Sequence, residues 1–227
     1  MARKQLGIFV RCPVPGAVKT RLSPPLSPEQ ACELYRAFIS DLSRRVSRPG
    51  KHDITIFYSG DDPGTLEGLL PARARLEPQQ GGHLGERLQN AFGQLLQDGA
   101  SEMPAVIIGS DSPDLPVTYI KRAFQKLRHR DVVLGPAVDG GYYLVGLKSP
   151  APGIFDDISW GEEVVYEESL RAIEALDLAL GTLPYWYDVD SFEGLRTLRS
   201  SVHARVIEKR DRLAAIEEVL KTFGPNE

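Results

Sequence analysis

Short apolar runs alternate with amphipathic stretches along this chain, and no other feature constrains its fold as much. QLGIFVR (5–11), DITIFYS (53–59), AVIIG (105–109), DVVLG (131–135) and YYLVGL (142–147) have the length and the β-branched or aromatic content of buried strands. Weaker runs lie at 74–77 and 183–187. Between them, Ala31, Leu34, Tyr35, Phe38, Ile39, Leu42 and Val46 recur at helical spacing. Ser27-Pro28-Glu29-Gln30 opens that helix with a Ser cap, a Pro in the first turn and a Gln three residues after the cap. Leu84, Leu88, Phe92, Leu95 and Leu96 mark a second helix, and further helices are expected at 117–127, at 162–176 and near the carboxyl end. Strands alternating with helices predict an α/β fold with a mostly parallel central sheet. No repeat, low-complexity tract or break in composition divides the chain, so one domain over 1–227 is expected, with the Pro/Gly cluster at 150–153 a loop inside it.

That arrangement also says where to look for a site. The segments that follow the strands ending at Arg11, Gly109, Gly135 and Tyr187 fall at carboxyl ends of strands, the edge at which open α/β sheets bind ligands. Charge points to the same loops. From Met1 to Pro28 there is no acid, yet Arg3, Lys4, Arg11, Lys19 and Arg21 fall there. Acids gather later, at Asp111, Asp114, Asp139, Asp188 and Asp190. A basic loop facing acidic loops suits phosphate plus a divalent cation, magnesium or manganese; the alternative is a solvated basic terminus. The net charge of -4 argues against nucleic acid as a partner. No apolar run reaches the ~18 residues that a membrane span needs, and the opening MARKQLGIFVRCP is too short in apolar residues for a secretory signal. Cys12 and Cys32 form no CxxC, so neither a disulfide framework nor a zinc site is expected and a cytoplasmic setting is. No feature indicates an oligomeric state.

Four loops and one turn carry candidate chemistry. In RCPVPGAVKTRL, Val18 stands where a P-loop needs glycine, and GxGxxG is absent from the chain. Gly16 remains for close backbone approach, with Arg11, Lys19 and Arg21 as donors to phosphate oxygens. In GSDSPDLP, Asp111 is the candidate metal ligand, a hard oxygen donor on a rigid strand end, and Ser110 beside it is a candidate nucleotide contact. Asp114 either touches substrate or caps the next helix. In GPAVDGGYYLVGL, Gly140 and Gly141 allow a backbone close to substrate while Asp139 reaches across the pocket; the alternative is a hairpin turn. Tyr142 and Tyr143 alternate, one expected in the core and one toward the pocket. DVDSF superficially resembles a haloacid-dehalogenase phosphatase motif, but that motif belongs on a first strand. Asp190 as a second metal ligand, with Ser191 a helix cap, fits better. GGHLGERLQ is a glycine turn feeding a helix, where Gly82, Leu84 and Gly85 could lie beside a base or phosphate. His83 reads as an exposed loop residue, and no GxSxG elbow is present.

PVPGAVKTRL, GGHLGERL, IIGSDSPDLP, VVLGPAVDGGYYLVGL and YDVDS, in this order and spacing, resemble a bacterial family of candidate nucleotide-diphospho-sugar transferases. Its members have a Rossmann-like glycosyltransferase A-type fold and are often associated with radical SAM proteins or arsenosugar biosynthesis. The resemblance runs from about residue 6 to about residue 198. More distantly, the KTRL and DxP segments are similar to phospholactate and molybdenum-cofactor guanylyltransferases. The resemblance implies that Asp111 and Asp190 bind a divalent metal, that Lys19 and Arg21 face the phosphates, and that the Gly82–Gly85 turn lies beside the nucleobase. It places Asp139, Gly140, Gly141 and Tyr142 on the sugar or acceptor side, with Asp139 the candidate general base. The chain departs from the family pattern at Arg11-Cys12, His83 and Gly161. The implied activity is metal-dependent glycosyl transfer from a nucleoside-diphosphate sugar to a small acceptor. A nucleotidyltransferase that releases pyrophosphate, and a non-catalytic nucleotide-binding module, are the alternatives.

Overall fold

The computed structural model describes residues 4–47, 52–97, 103–208 and 211–223; Arg3 of the basic stretch lies outside them. In chain order the elements are β1 (Lys4–Arg11), α1 (Pro28–Val46), β2 (His52–Ser59), β3 (Arg75–Pro78), α2 (Leu84–Gln97), β4 (Ala105–Gly109), α3 (Val117–Lys126), β5 (Val132–Pro136), β6 (Tyr142–Leu147), α4 (Val165–Ala175), β7 (Leu180–Thr182), α5 (Phe192–Ile207) and α6 (Ala214–Thr222). The strands form one sheet in the order β3-β2-β1-β4-β6-β5-β7. β1 lies inside it between β2 and β4, with Ile8 opposite both Ile56 and Ile108.

The sheet is parallel except for β6, which runs antiparallel between β4 and β5. Hydropathy does not report strand direction, and YYLVGL is as apolar as its parallel neighbours. Direction is imposed by the connection: residues 137–141 between β5 and β6 are too few for a crossover. Alternation then sends Leu6, Ile8 and Val10 toward one face, where they share a core with residues of α1, α3, α5 and α6. Ala105 and Ile107 point the other way, into a second core with α2 and α4. Every residue of the expected α1 stripe is buried. Its cap forms as expected: Ser27 Oγ accepts from Gln30 N–H, and Ser27 N–H donates to the Gln30 amide oxygen at 2.7 Å.

Two expected boundaries move. The strand expected at 183–187 is replaced by β7 at Leu180–Thr182. Pro184 has no N–H to donate to a ladder, so beyond β7 the chain follows β5 through single bonds, Leu183 N–H to Leu134 O and Trp186 N–H to Pro136 O. The helix expected from 162 begins at Val165, because Glu162 to Val164 are held in turns by Glu162 N–H to Ser159 O and Val165 N–H to Glu162 O.

Candidate functional site

The loops after β1, β4, β5 and β7 meet at one edge of the sheet, and a single ion-paired triad stands at their centre. β4 neighbours β1, so Asp111 emerges beside the loop that carries Lys19. Val189 N–H donates to Asp111 O at 2.9 Å and Ser112 Oγ to Tyr187 O at 2.9 Å, and these two bonds strap the Asp190 loop to the Asp111 loop. Lys19 Nζ then lies 2.5 Å from Asp111 Oδ1 and 2.6 Å from Asp190 Oδ1. Its backbone adopts the left-handed conformation (φ 49°), at the head of a 3-10 turn closed by Leu22 N–H to Lys19 O. Such a φ is uncommon outside glycine, so the side chain is aimed by the surrounding loop and not by local preference. The ammonium is enclosed by the rings of Tyr35 and Phe38, each 5.5 Å away. Burial alone would discharge this lysine, and the Asp111 and Asp190 carboxylates override it, holding the ammonium charged well above its ordinary range. The Lys19 side chain is 3% exposed, whereas those of Asp111 and Asp190 are 48% and 42% exposed and open to the cleft.

Two chambers flank this triad, each with a cavity volume of about 410 Å³, and Leu84, Asp111 and Asp190 line both. The first lies over the ends of β1 and β2 and is walled by Arg11, Lys19, Tyr35, Gln79, Arg87 and Ser110. Tyr35 OH takes Arg11 N–H at 3.0 Å and pairs with Ser110 Oγ at 2.7 Å. Burial, with the Asp111 charge adding to it, pushes this phenol up to about 12. Gln79 Nε2 donates to Val10 O and Phe57 O, which pins its amide against the sheet edge. The second chamber is walled by Arg21, Asp139, Tyr142, Tyr143, Trp160 and Asp188, with Glu162 and Glu163 at its rim. Burial, followed by the charges of Asp139 and Asp190, raises the Asp188 carboxyl to about 6. Tyr142 and Trp160 meet edge to face at 6.2 Å, while Tyr143 is buried with its hydroxyl on Pro184 O.

Asp114 requires a correction. It neither caps α3, whose cap position is Pro116 with no side-chain bond, nor lines either chamber. It is buried, and its carboxylate accepts from Trp186 Nε1 (3.2 Å), Tyr187 OH (2.7 Å) and Ser201 Oγ (2.6 Å). Those bonds join the Asp111 loop to the Trp186–Tyr187 segment and, through Ser201, to α5. Buried Arg45 of α1 donates to Pro113 O and Leu115 O, and Arg205 donates to Asp114 O. The loop that presents Asp111 is therefore anchored through its carbonyls by two guanidinium groups.

The other predicted residues divide clearly. Arg11, Lys19, Leu84, Ser110, Asp111 and Asp190 come together at the first chamber, whereas Arg21 turns into the second, with Asp139, Gly141 and Tyr142. Gly16, Gly82, Gly85 and Gly140 line neither chamber, and packing accounts for two of them. A Cβ on Gly85 would lie 2.5 Å from Trp160 Nε1, and one on Gly140 (φ 90°) 2.0 Å from Glu163 O. The Asp139–Gly140–Gly141 turn is a β5–β6 hairpin with Gly141 N–H on Asp139 Oδ1, and it also presents Asp139 to the second chamber, so both earlier readings of it coexist. His83 is exposed and its Nδ1 accepts from Glu86 N–H at 3.4 Å, at the start of α2. Sequence reasoning counted Asp188 among the acids without a role, read Tyr35 only as part of the helix stripe, and missed Gln79, Arg87 and Arg45. Only Asp188 had a readable signal: in YDVDS the two acids alternate around Val189, which is fully buried.

The solved structure of a candidate nucleotide-diphospho-sugar transferase from Desulfovibrio desulfuricans G20 is 34% identical to this chain. It covers 97% of this chain and 95% of its own, with a TM-score of 0.86. The 2-phospho-L-lactate guanylyltransferase of Methanothermobacter thermautotrophicus is 30% identical over 149 residues, 64% of this chain and 64% of that enzyme. At the level of fold alone, a manganese complex of Rv0371C from Mycobacterium tuberculosis H37Rv superposes with a TM-score of 0.51 at 13% identity, over 88% of this chain and 100% of the other. The α/β fold is thus that of nucleotide-diphospho-sugar transferase-like proteins. Among the described residues no helix is long and apolar enough to cross a membrane. Residues 42–162 match the model of the family described as "Uncharacterized protein conserved in bacteria (DUF2064)", and the chain belongs to that family.

Proposed function

We propose that this protein is a metal-dependent transferase that moves a glycosyl group from a nucleoside-diphosphate sugar to a small acceptor. The observation that carries the reading is the position of Asp111 and Asp190 on the seam between the two chambers. A donor that laid its nucleotide in the first chamber and its sugar in the second would bring its diphosphate across that seam. Among the described residues no three His, Cys, Asp or Glu side chains converge on one metal position. Two carboxylates are nevertheless the number that magnesium commonly takes from a protein when substrate phosphates complete its shell, so Asp111 and Asp190 fit such an ion. Bound there, the ion would stabilise negative charge on the departing nucleoside diphosphate.

The remaining work falls to side chains. Arg11 and Arg87 offer donors at the first chamber, and Lys19 and Arg21 carry positive charge to either side of the seam. Asp139 stands across the second chamber as the base that would take the acceptor proton, and Tyr142 and Trp160 form an apolar wall for a sugar ring. The experiment is a screen of nucleoside-diphosphate sugars with manganese and candidate acceptors, read by release of nucleoside diphosphate. Nucleotidyl transfer is the second reading, favoured by the guanylyltransferase relative. It would use the same triad against the α-phosphorus of a nucleoside triphosphate. Pyrophosphate release from triphosphates, with no nucleoside diphosphate from sugar donors, would replace the first reading by the second.

A further inference from the structure

We infer that Lys19 is a built-in cation that keeps the Asp111–Asp190 pair closed to a free divalent ion, so that metal enters only together with the nucleotide's diphosphate. The inference rests on the reading of these carboxylates as metal ligands. At 2.5 and 2.6 Å the ammonium already occupies the inner oxygen of each carboxylate, and the outer faces of the pair open to the cleft. A bare ion arriving there meets carboxylates whose charge the ammonium already neutralises, and it reaches their inner oxygens only by evicting the ammonium. The Lys19 side chain is 3% exposed and enclosed by the Tyr35 and Phe38 rings, so an evicted ammonium meets aromatic carbon and little water. A buried charge stripped of its partners is strongly unfavourable. Two carboxylates by themselves also give the ion few protein ligands, and substrate phosphates ordinarily supply the others.

A diphosphate corrects both deficits in one step. Its oxygens complete the metal's shell, and its remaining charge gives Lys19 a replacement partner on the first-chamber side, which Lys19 already lines. The exchange conserves pairing: the ammonium passes from carboxylates to phosphate as the metal passes from water to carboxylates. The Lys19 backbone is held by Leu22 N–H on its carbonyl, which leaves the rotation to its side-chain bonds. Lys19 is therefore a positioning residue that couples the order of binding to the presence of phosphate.

Equilibrium dialysis of Mn²⁺ against the full chain, without nucleotide and with UDP or GDP, tests this. The wild type is expected to retain Mn²⁺ only when a nucleoside diphosphate is present. Lys19→Met is expected to bind Mn²⁺ alone at least about tenfold more tightly than the wild type does, and to lose at least about tenfold in nucleotide affinity. Lys19→Arg, which keeps the charge, should exclude free Mn²⁺ as the wild type does. Melting curves of the variants verify folding, and the wild-type arm needs no variant. Binding of Mn²⁺ alone to the wild type as tightly as with nucleotide would overturn the inference and leave the metal reading standing. Failure of every protein to hold Mn²⁺, with or without nucleotide, would overturn both.

Discussion

The two chambers are similar in volume and opposite in charge. The first is walled by Arg11, Lys19 and Arg87 against the shared Asp111 and Asp190. The second has Arg21 alone against the same pair plus Asp139, Asp188, Glu162 and Glu163. An anionic nucleotide would be drawn to the first and repelled by the second. The aromatic walls of the second, Tyr142, Tyr143 and Trp160, suit a neutral ring whose hydroxyls can donate to carboxylates. A field of this kind across a seam can orient a two-part substrate before any specific contact forms.

Five substitutions, and chelation beside the first of them, test that contrast. The largest effect is expected at the seam itself. Asp111→Asn should lower kcat/KM by about 10³-fold or more, since a bound metal contributes several kcal/mol. Chelation should do the same to the wild type, and full turnover in a metal-free preparation would refute the division. Arg45→Met removes the support beneath that seam and should cost about 3 kcal/mol of stability in urea unfolding, because the buried carbonyls of Pro113 and Leu115 lose their donor and Asp211 loses one of its guanidinium partners. A loss below about 0.5 kcal/mol, the range of ordinary surface changes, would show that the loop does not depend on it. Asp139→Asn touches only the second chamber. It should lower kcat about 10²-fold while nucleotide affinity stays unchanged in calorimetry. Arg87→Ala is its mirror image, with nucleotide affinity weakened about tenfold and the acceptor KM unmoved. Glu162→Gln, at the exposed rim, should shift either binding constant by less than about twofold, as screened surface charges do. A large loss of nucleotide affinity at Asp139, or of acceptor affinity at Arg87, would merge the two chambers into one.

The elements of the fold were legible because a buried strand and an amphipathic helix each impose a period on the residues that form them. Ser27, Pro28 and Gln30 even set the first turn of α1. Legibility failed where period carries no information. Nothing in YYLVGL distinguishes an antiparallel strand from a parallel one; the short connection at 137–141 does. At 183–187 the apolar pattern suggested a strand, but Pro184 removes a ladder donor and the pairing shifts to Leu180–Thr182. Within the site, residue type identified acids and bases but not their neighbours. Asp114 has the same local setting as Asp111, three residues away, yet faces Trp186, Tyr187 and Ser201 in the interior. Arg45 and Tyr35 lay in a helix whose pattern accounted for its burial without indicating that either would support a loop.

The sequence by itself determined the alternation of strands and helices, and with it the edge of the sheet where the loops at Arg11, Gly109, Gly135 and Tyr187 converge. It also determined that the loop after Arg11 carries bases and no acid, while the loops after Gly109, Gly135 and Tyr187 carry acids. Only the tertiary structure decided that Lys19 pairs with Asp111, 92 residues away, and with Asp190, 171 residues away. Periodicity is a local consequence of backbone geometry and can be read along the chain. Ion pairing depends on distance and burial in space, which arise only when β4 settles beside β1 and the Val189–Asp111 bond draws the last acidic loop against them.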